Sequence, residues 1–141
     1  MQHRYLADPL QQLTHAYRAY MRRAIEAAEI GIPAAHVRVL KGIEAAPSCT
    51  AQHLANCLRR DRAQITRMLK DLLDNQLIEK RDHPHDRRSQ WLTLTASGEA
   101  LLEQVQRLEK AAAAQMTAGL STLEVDNFIR LTRHMTARLD A

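Results

Sequence analysis

Residues 73–95 read LDNQLIEKRDHPHDRRSQWLTLT, and this stretch decides the fold. A helix running to Asn75 meets a β-prone run, Leu77-Ile78-Glu79-Lys80. A charged tip follows, Asp82-His83-Pro84-His85-Asp86-Arg87-Arg88, and then a second β-prone run from Gln90 to Thr95. Valine-poor but rich in Leu, Ile, Thr and Trp, the two runs suit a two-stranded ribbon closed by a polar turn. A ribbon with arginines at its tip, directly after a basic helix, is the outline of a winged helix.

Outside this stretch the chain reads as helix. Leu6, Leu10, Leu13, Tyr17, Tyr20 or Met21, and Ala24 recur at three- and four-residue steps, which predicts one long helix over 7–29, stopped by Gly31. Pro33 suits the first turn of a second helix over 34–44. Thr50 is a good N-cap for a third over 51–58, with Cys49 placed to staple against Leu54. Asp61-x-x-Gln64 has the form of a capping box and opens a fourth helix that reaches Asn75. Thr95 can cap a long helix over 96–117, and Ser121-x-x-Glu124 starts a last one carrying Leu123, Phe128, Leu131, Met135 and Leu139.

The expected fold is therefore mainly α: a winged helix-turn-helix with a two-stranded β wing, flanked by N- and C-terminal helices. We expect one domain over 1–141, with 34–95 as the winged helix-turn-helix and 96–117 as a linking helix. The end helices carry apolar stripes wider than one small wing domain can cover. A second copy of the chain, related by a two-fold axis, is the simplest cover. Residues 1–33 and 118–141 are thus expected to form an intertwined dimerisation region.

Bulk properties agree with this reading. The chain has 141 residues, 45% of them hydrophobic and 26% charged, with only four glycines and four prolines. That describes a single globular domain and not a turn-rich β protein. No apolar run is long enough for a membrane span or a signal peptide, so a cytoplasmic protein is expected. Two cysteines, Cys49 and Cys57, cannot make a disulfide framework.

The net charge of +4 is unevenly placed. Arg59, Arg60, Arg62, Arg67 and Lys70 are opposed only by Asp61 within residues 59–70. A local basic patch attracts phosphate more strongly than the total charge suggests. On the fourth helix, the face opposite Ile65, Met68 and Leu72 shows Arg62, Ala63, Gln64, Thr66, Arg67, Lys70 and Asp71. Arg pairs with guanine, Gln with adenine, and the Ala and Thr methyls can touch thymine. Arg67 and Gln64 are the first choices for base contacts, although a capping box would use the same Gln64 side chain. Thr50, Arg59 and Arg60 would lie near the backbone and fix register. At the tip, Arg87 is the best candidate to enter the minor groove. Double-stranded DNA carrying a pseudo-palindromic site is thus the expected partner, bound by a homodimer.

Other chemistries are weaker. Asp82, His83, His85 and Asp86 crowd together and invite a metal reading, up to a metal-dependent hydrolase. A hairpin tip containing a proline rarely holds tetrahedral geometry, so decoration of the wing is preferred and neither metal nor cofactor is expected. No Ser/His/Asp, Cys/His or glycine-rich phosphate motif appears, so the chain is not expected to be an enzyme. Cys57 is expected in the core. Cys49, at a helix N-terminus, would have a lowered pKa if exposed, which leaves a redox-responsive regulator as an alternative.

The segment DNQLIEKRDHPHDRRSQWLTLTASGEALL, residues 74–102, resembles the MarR family of transcriptional regulators. Leu77, Ile78, Arg81, Asp82, Asp86, Arg88, Leu92, Leu94, Thr95 and Gly98 match its pattern across both strands, the hairpin and the next helix start. Gln76 departs from it, standing where the family has glycine. The resemblance implies that Asp86 and Arg88 pair to brace the tip. It also implies a repressor released by a small aromatic or phenolic effector, bound in a crease between the dimer helices and the wing domain. His15, Arg18, Arg22, His36 and Arg38 are the candidates for that crease.

Overall fold

A computed structural model describes residues 5–82, 85 and 90–141. Helix α1 covers Ala7–Ala27 and ends where Glu29 and Gly31 take left-handed backbone, at φ 54° and 89°. Only Met21 and Ile25 of its stripe are buried, while Leu6, Leu10 and Leu13 face outward. Pro33, extended at ψ 157°, sits just before α2, Ala34–Ala45. That helix runs through the centre of the core and buries Val37, Val39, Leu40 and Ile43.

Each later helix begins at the capping residue the sequence marks. Thr50 accepts a hydrogen bond from His53 N at 3.1 Å and opens α3, Ala51–Leu58. Asp61 accepts from Gln64 N at 2.8 Å and opens α4, Arg62–Asp74. Here only half of the capping box forms, so the Gln64 side chain is left out of the cap. Thr95 accepts from Gly98 N and opens α5, Ala96–Met116. Ser121 and Glu124 make both halves of a capping box at the start of α6, Thr122–Leu139.

Between α4 and α5 lies the wing. Strands β1, Ile78–Asp82, and β2, Gln90–Leu94, pair antiparallel with Ile78 opposite Leu94 and Lys80 opposite Leu92. The chain turns into β1 through Gln76, whose φ of 58° is the left-handed conformation that glycine adopts freely. Thr95 Oγ1 donates to the Gln76 carbonyl at 2.7 Å and holds that turn. A third backbone segment joins the ribbon, because Leu92 N donates to Cys49 O at 2.8 Å.

That bridge corrects the reading of Cys49. Pairing with β2 carries Cys49 into the core, where it is fully buried and free, so the thiol has no exposed helix terminus to lower its pKa. Burial and, secondarily, the nearby Cys57 push its pKa up to about 11. Cys57, expected inside, is exposed. The inward face of α3 is made by Leu54, Ala55 and half-buried Leu58, and Cys57 lies off that face beside His53, with Sγ 3.4 Å from Nε2.

The core is built from α1 to α5 and the wing, with Leu40, Leu54, Ile65, Leu72, Leu92, Leu102 and Val105 at its centre, and it takes in Met21 and Ile25 of α1 and Ala112 of α5. Helix α6 contributes no buried residue. Leu123, Phe128, Ile129, Leu131 and Met135 lie open along it, continuing a set that includes Met116 and Leu120. Among the described residues, no helix is long and apolar enough to cross a membrane.

Candidate nucleic-acid interface

Burying Ile65, Met68, Leu69 and Leu72 rotates the other side of α4 to solvent. Arg62, Ala63, Thr66, Arg67 and Lys70 are exposed there, and Gln64 is half-buried at the margin. The hydroxyl of Thr66 donates back to the Arg62 carbonyl at 2.8 Å, which leaves its methyl group as the outward-facing part.

Beside this face runs a groove of about 440 Å³ between α3, α4 and the wing. Thr50, Gln52, Arg62, Thr66, Lys70, Lys80 and Gln90 line it, and Asp74 is its one carboxylate. Three cations against one anion make a concave surface of positive potential. Lys80, Gln90 and Gln52 were missed in the sequence because strand pairing and helix packing, not spacing, bring them to α4. Arg62 Nη1 donates to Gln52 Oε1 at 3.1 Å, and Gln52 Nε2 donates to Asn56 Oδ1 at 3.0 Å.

Arg59 and Arg60 are placed away from that groove. Arg59 ends α3 in left-handed backbone at φ 52°, and its Nη2 meets Asp140 Oδ1 at 2.7 Å. Arg60 lies near Arg38 and helps to depress its pKa. At the wing tip, His83, Asp86, Arg87 and Arg88 lie outside the described residues. Among the described residues no group of three or more His, Cys, Asp or Glu is placed to hold a metal ion.

On the other side of α2 is a cavity of about 590 Å³ between α1, α2 and α5. Arg18, Arg22 and Arg38 line it with Lys41, Tyr17, Met21 and Val105. Lys41 is ion-paired with Glu109 across it. Partial burial, then the like charges of Arg18 and Arg60, lower the pKa of Arg38 from its ordinary value. Of the five crease candidates, His15 and His36 do not line this cavity. His15 is exposed on α1, and His36 turns to α4, where its Nε2 lies 3.0 Å from Asp71 Oδ2.

A helix-turn-helix with its second helix bared, a two-stranded wing behind it and long flanking helices define a winged-helix protein. The profile of the MarR family matches residues 30–89. The multiple antibiotic resistance protein MarR of Escherichia coli K12 is 31% identical over 102 residues, 71% of each chain. The transcriptional repressor MprA of the same organism is 32% identical over 93 residues, which cover 66% of this chain and 53% of MprA. The chain thus spans about half the length of that relative. Among solved structures, a cysteine-to-serine variant of E. coli MarR superposes with a TM-score of 0.80 at 25% identity, covering 93% of this chain and 96% of that one. The same variant in complex with operator DNA gives a TM-score of 0.73 at 28% identity, covering 92% and 94%.

The chain belongs to the MarR family, which comprises transcriptional regulators and not enzymes.

Proposed function

We propose that this protein is a dimeric, sequence-specific DNA-binding regulator that acts in the cytoplasm, represses its targets, and is released by a small anionic effector. The observation that carries the reading is the bared face of α4, with Arg62, Arg67 and Lys70 beside a groove that adds Lys80. A helix of this size fits the major groove, with its N-terminal residues at base edges. Arg62, Ala63, Gln64, Thr66 and Arg67 are the proposed base readers. Thr50, Lys70 and Lys80 are proposed for phosphates, and Arg87 for the minor groove at the wing. The solved complex of a MarR variant with operator DNA supports DNA as the partner.

The dimer rests on the open apolar faces of α1 and α6. An 18-residue helix with no buried residue gains nothing from its Leu, Ile, Phe and Met side chains unless a second surface covers them. A two-fold pairing through these helices would set two copies of α4 on one face of the duplex, with half-sites about one helical turn apart.

Support for effector release comes from the cavity between α1, α2 and α5. Its lining joins an apolar floor to Arg18, Arg22 and Arg38, with Lys41 already answered by Glu109. An aromatic acid matches that mixture, with its ring on Met21, Ile25 and Val105 and its carboxylate on arginine. Such a ligand changes DNA affinity only if it binds better to the spacing that cannot engage both half-sites.

Selection of genomic fragments by the purified protein, read by sequencing at two salt concentrations, tests this function. A pseudo-palindrome with half-sites one turn apart is expected. The absence of any enriched sequence at either salt concentration would overturn the reading.

A further inference from the structure

Arg62 is the first residue of α4, the end of a recognition helix that meets base edges. A free arginine at such a position samples many rotamers, and ordering it opposes binding. Here its Nη1 is held by Gln52 Oε1 at 3.1 Å, and Gln52 Nε2 is held in turn by Asn56 Oδ1 at 3.0 Å. Gln52 and Asn56 stand four residues apart on α3, so they share one face of that helix.

The polarity of this relay is set from one end. A guanidinium has only donors, so Gln52 must turn its oxygen to Arg62 and its nitrogen to Asn56. Neither amide can flip without breaking the chain. One bond at Nη1 leaves the other guanidinium donors open, enough for both O6 and N7 of a guanine. Among the described residues Arg62 forms no ion pair, unlike Arg59, so its charge is not neutralised within the protein.

We infer that Gln52 and Asn56 are positioning residues that hold Arg62 ready to read a base, so that sequence choice at one position of each half-site depends on α3 as well as α4. This rests on the DNA-binding function proposed above, and deepens it. Arg67, which makes no hydrogen bond or ion pair among the described residues, is read as a separate contact at another position.

The test is selection from a randomised operator library with the wild type, Gln52→Leu, Gln52→Glu, Asn56→Ala, Arg62→Ala and the Gln52→Leu/Arg62→Ala double variant. Arg62→Ala should lose preference at one position per half-site. Gln52→Leu should lose at least about fivefold of the preference at that same position, and should change nothing more when added to Arg62→Ala. Gln52→Glu keeps an acceptor for Arg62 and should retain the preference. Asn56→Ala should weaken it at that position, and carries the test if Gln52→Leu does not fold. Because Gln52→Leu removes no charge, the salt dependence of its binding should match the wild type.

An unchanged preference in Gln52→Leu overturns the relay while leaving the DNA-binding reading intact. So does a loss at a position other than that of Arg62, which would make Gln52 a base reader itself. A wild type that selects no sequence overturns the DNA-binding reading, and the relay with it.

Discussion

A Cβ on Gly98 would lie 2.1 Å from the carbonyl oxygen of Leu77, so the first turn of α5 rests directly on the backbone where the wing begins. Thr95 completes the junction: its N–H donates to Leu77 O at 3.0 Å and its hydroxyl to Gln76 O at 2.7 Å. The helix that leads away from the wing is therefore locked to the turn that leads in from α4. The contact thus joins the start of α5 to the turn that follows α4.

Replacing Gly98 by alanine should break that junction. In an open helix, alanine in place of glycine gains up to about 1 kcal/mol. Here the added methyl meets backbone, which cannot swing aside as a side chain would, so we expect a net loss of about 1–3 kcal/mol. The midpoint of urea unfolding measures it. A midpoint equal to or above that of the wild type would mean that the approach is looser than described.

The two cysteines should differ in reactivity. A thiol reagent added to the folded protein should titrate one group, Cys57, and a second only in denaturant, since Cys49 is buried. The sign of the pH effect follows from the raised pKa of Cys49, about 11 against an ordinary 9.0. The folded state keeps a proton that the unfolded chain releases, so this contribution is fully present below pH 9 and lost as pH rises towards 11. Cys49→Ala should be less stable at neutral pH and lack that part of the alkaline decline. Equal alkaline slopes in the two proteins would contradict the assignment.

Arg67 and Lys70 should separate base reading from phosphate binding. Arg67→Ala is expected to relax preference at one position per half-site, at a cost of about 1–3 kcal/mol for the cognate site. Lys70→Ala should weaken all sequences alike and reduce the salt slope by about one per protomer. Binding titrations on matched and mismatched duplexes distinguish the two, and reversed outcomes would exchange their roles.

Arg38 should matter for release and not for binding. With benzoate or salicylate as the probe, Arg38→Ala is expected to need at least about tenfold more ligand to free the operator, the usual loss when a charged hydrogen bond to a carboxylate is removed. Its affinity for DNA without ligand should stay near that of the wild type. A normal response in Arg38→Ala would move the effector away from this cavity.

Much of the fold was legible because its punctuation is local. Thr50, Asp61, Thr95 and Ser121 each cap the helix that the hydrophobic spacing announces. Gln76 stands where a left-handed residue is needed and adopts φ 58° despite its Cβ. The bared face of α4 was legible for the same reason, as the complement of a buried stripe. What escaped depends on contacts between distant segments. Cys49 is buried by a bridge to Leu92, Arg59 is drawn to Asp140, 81 residues away, and Gln52 meets Arg62 across two helices. His36 looks like a wall of the crease by position, yet half a turn of α2 carries it to Asp71 instead. None of these pairings has a period or a motif.

The most direct test of the central claim is the salt dependence and stoichiometry of binding to a selected operator duplex. A dimer bound through the basic face of α4 should place two chains on each palindrome and give a log–log slope steep enough to lose roughly a thousandfold or more in affinity between 50 and 200 mM salt. A flat slope, or saturation at one chain per site, would contradict a dimer that binds DNA through the basic face of α4.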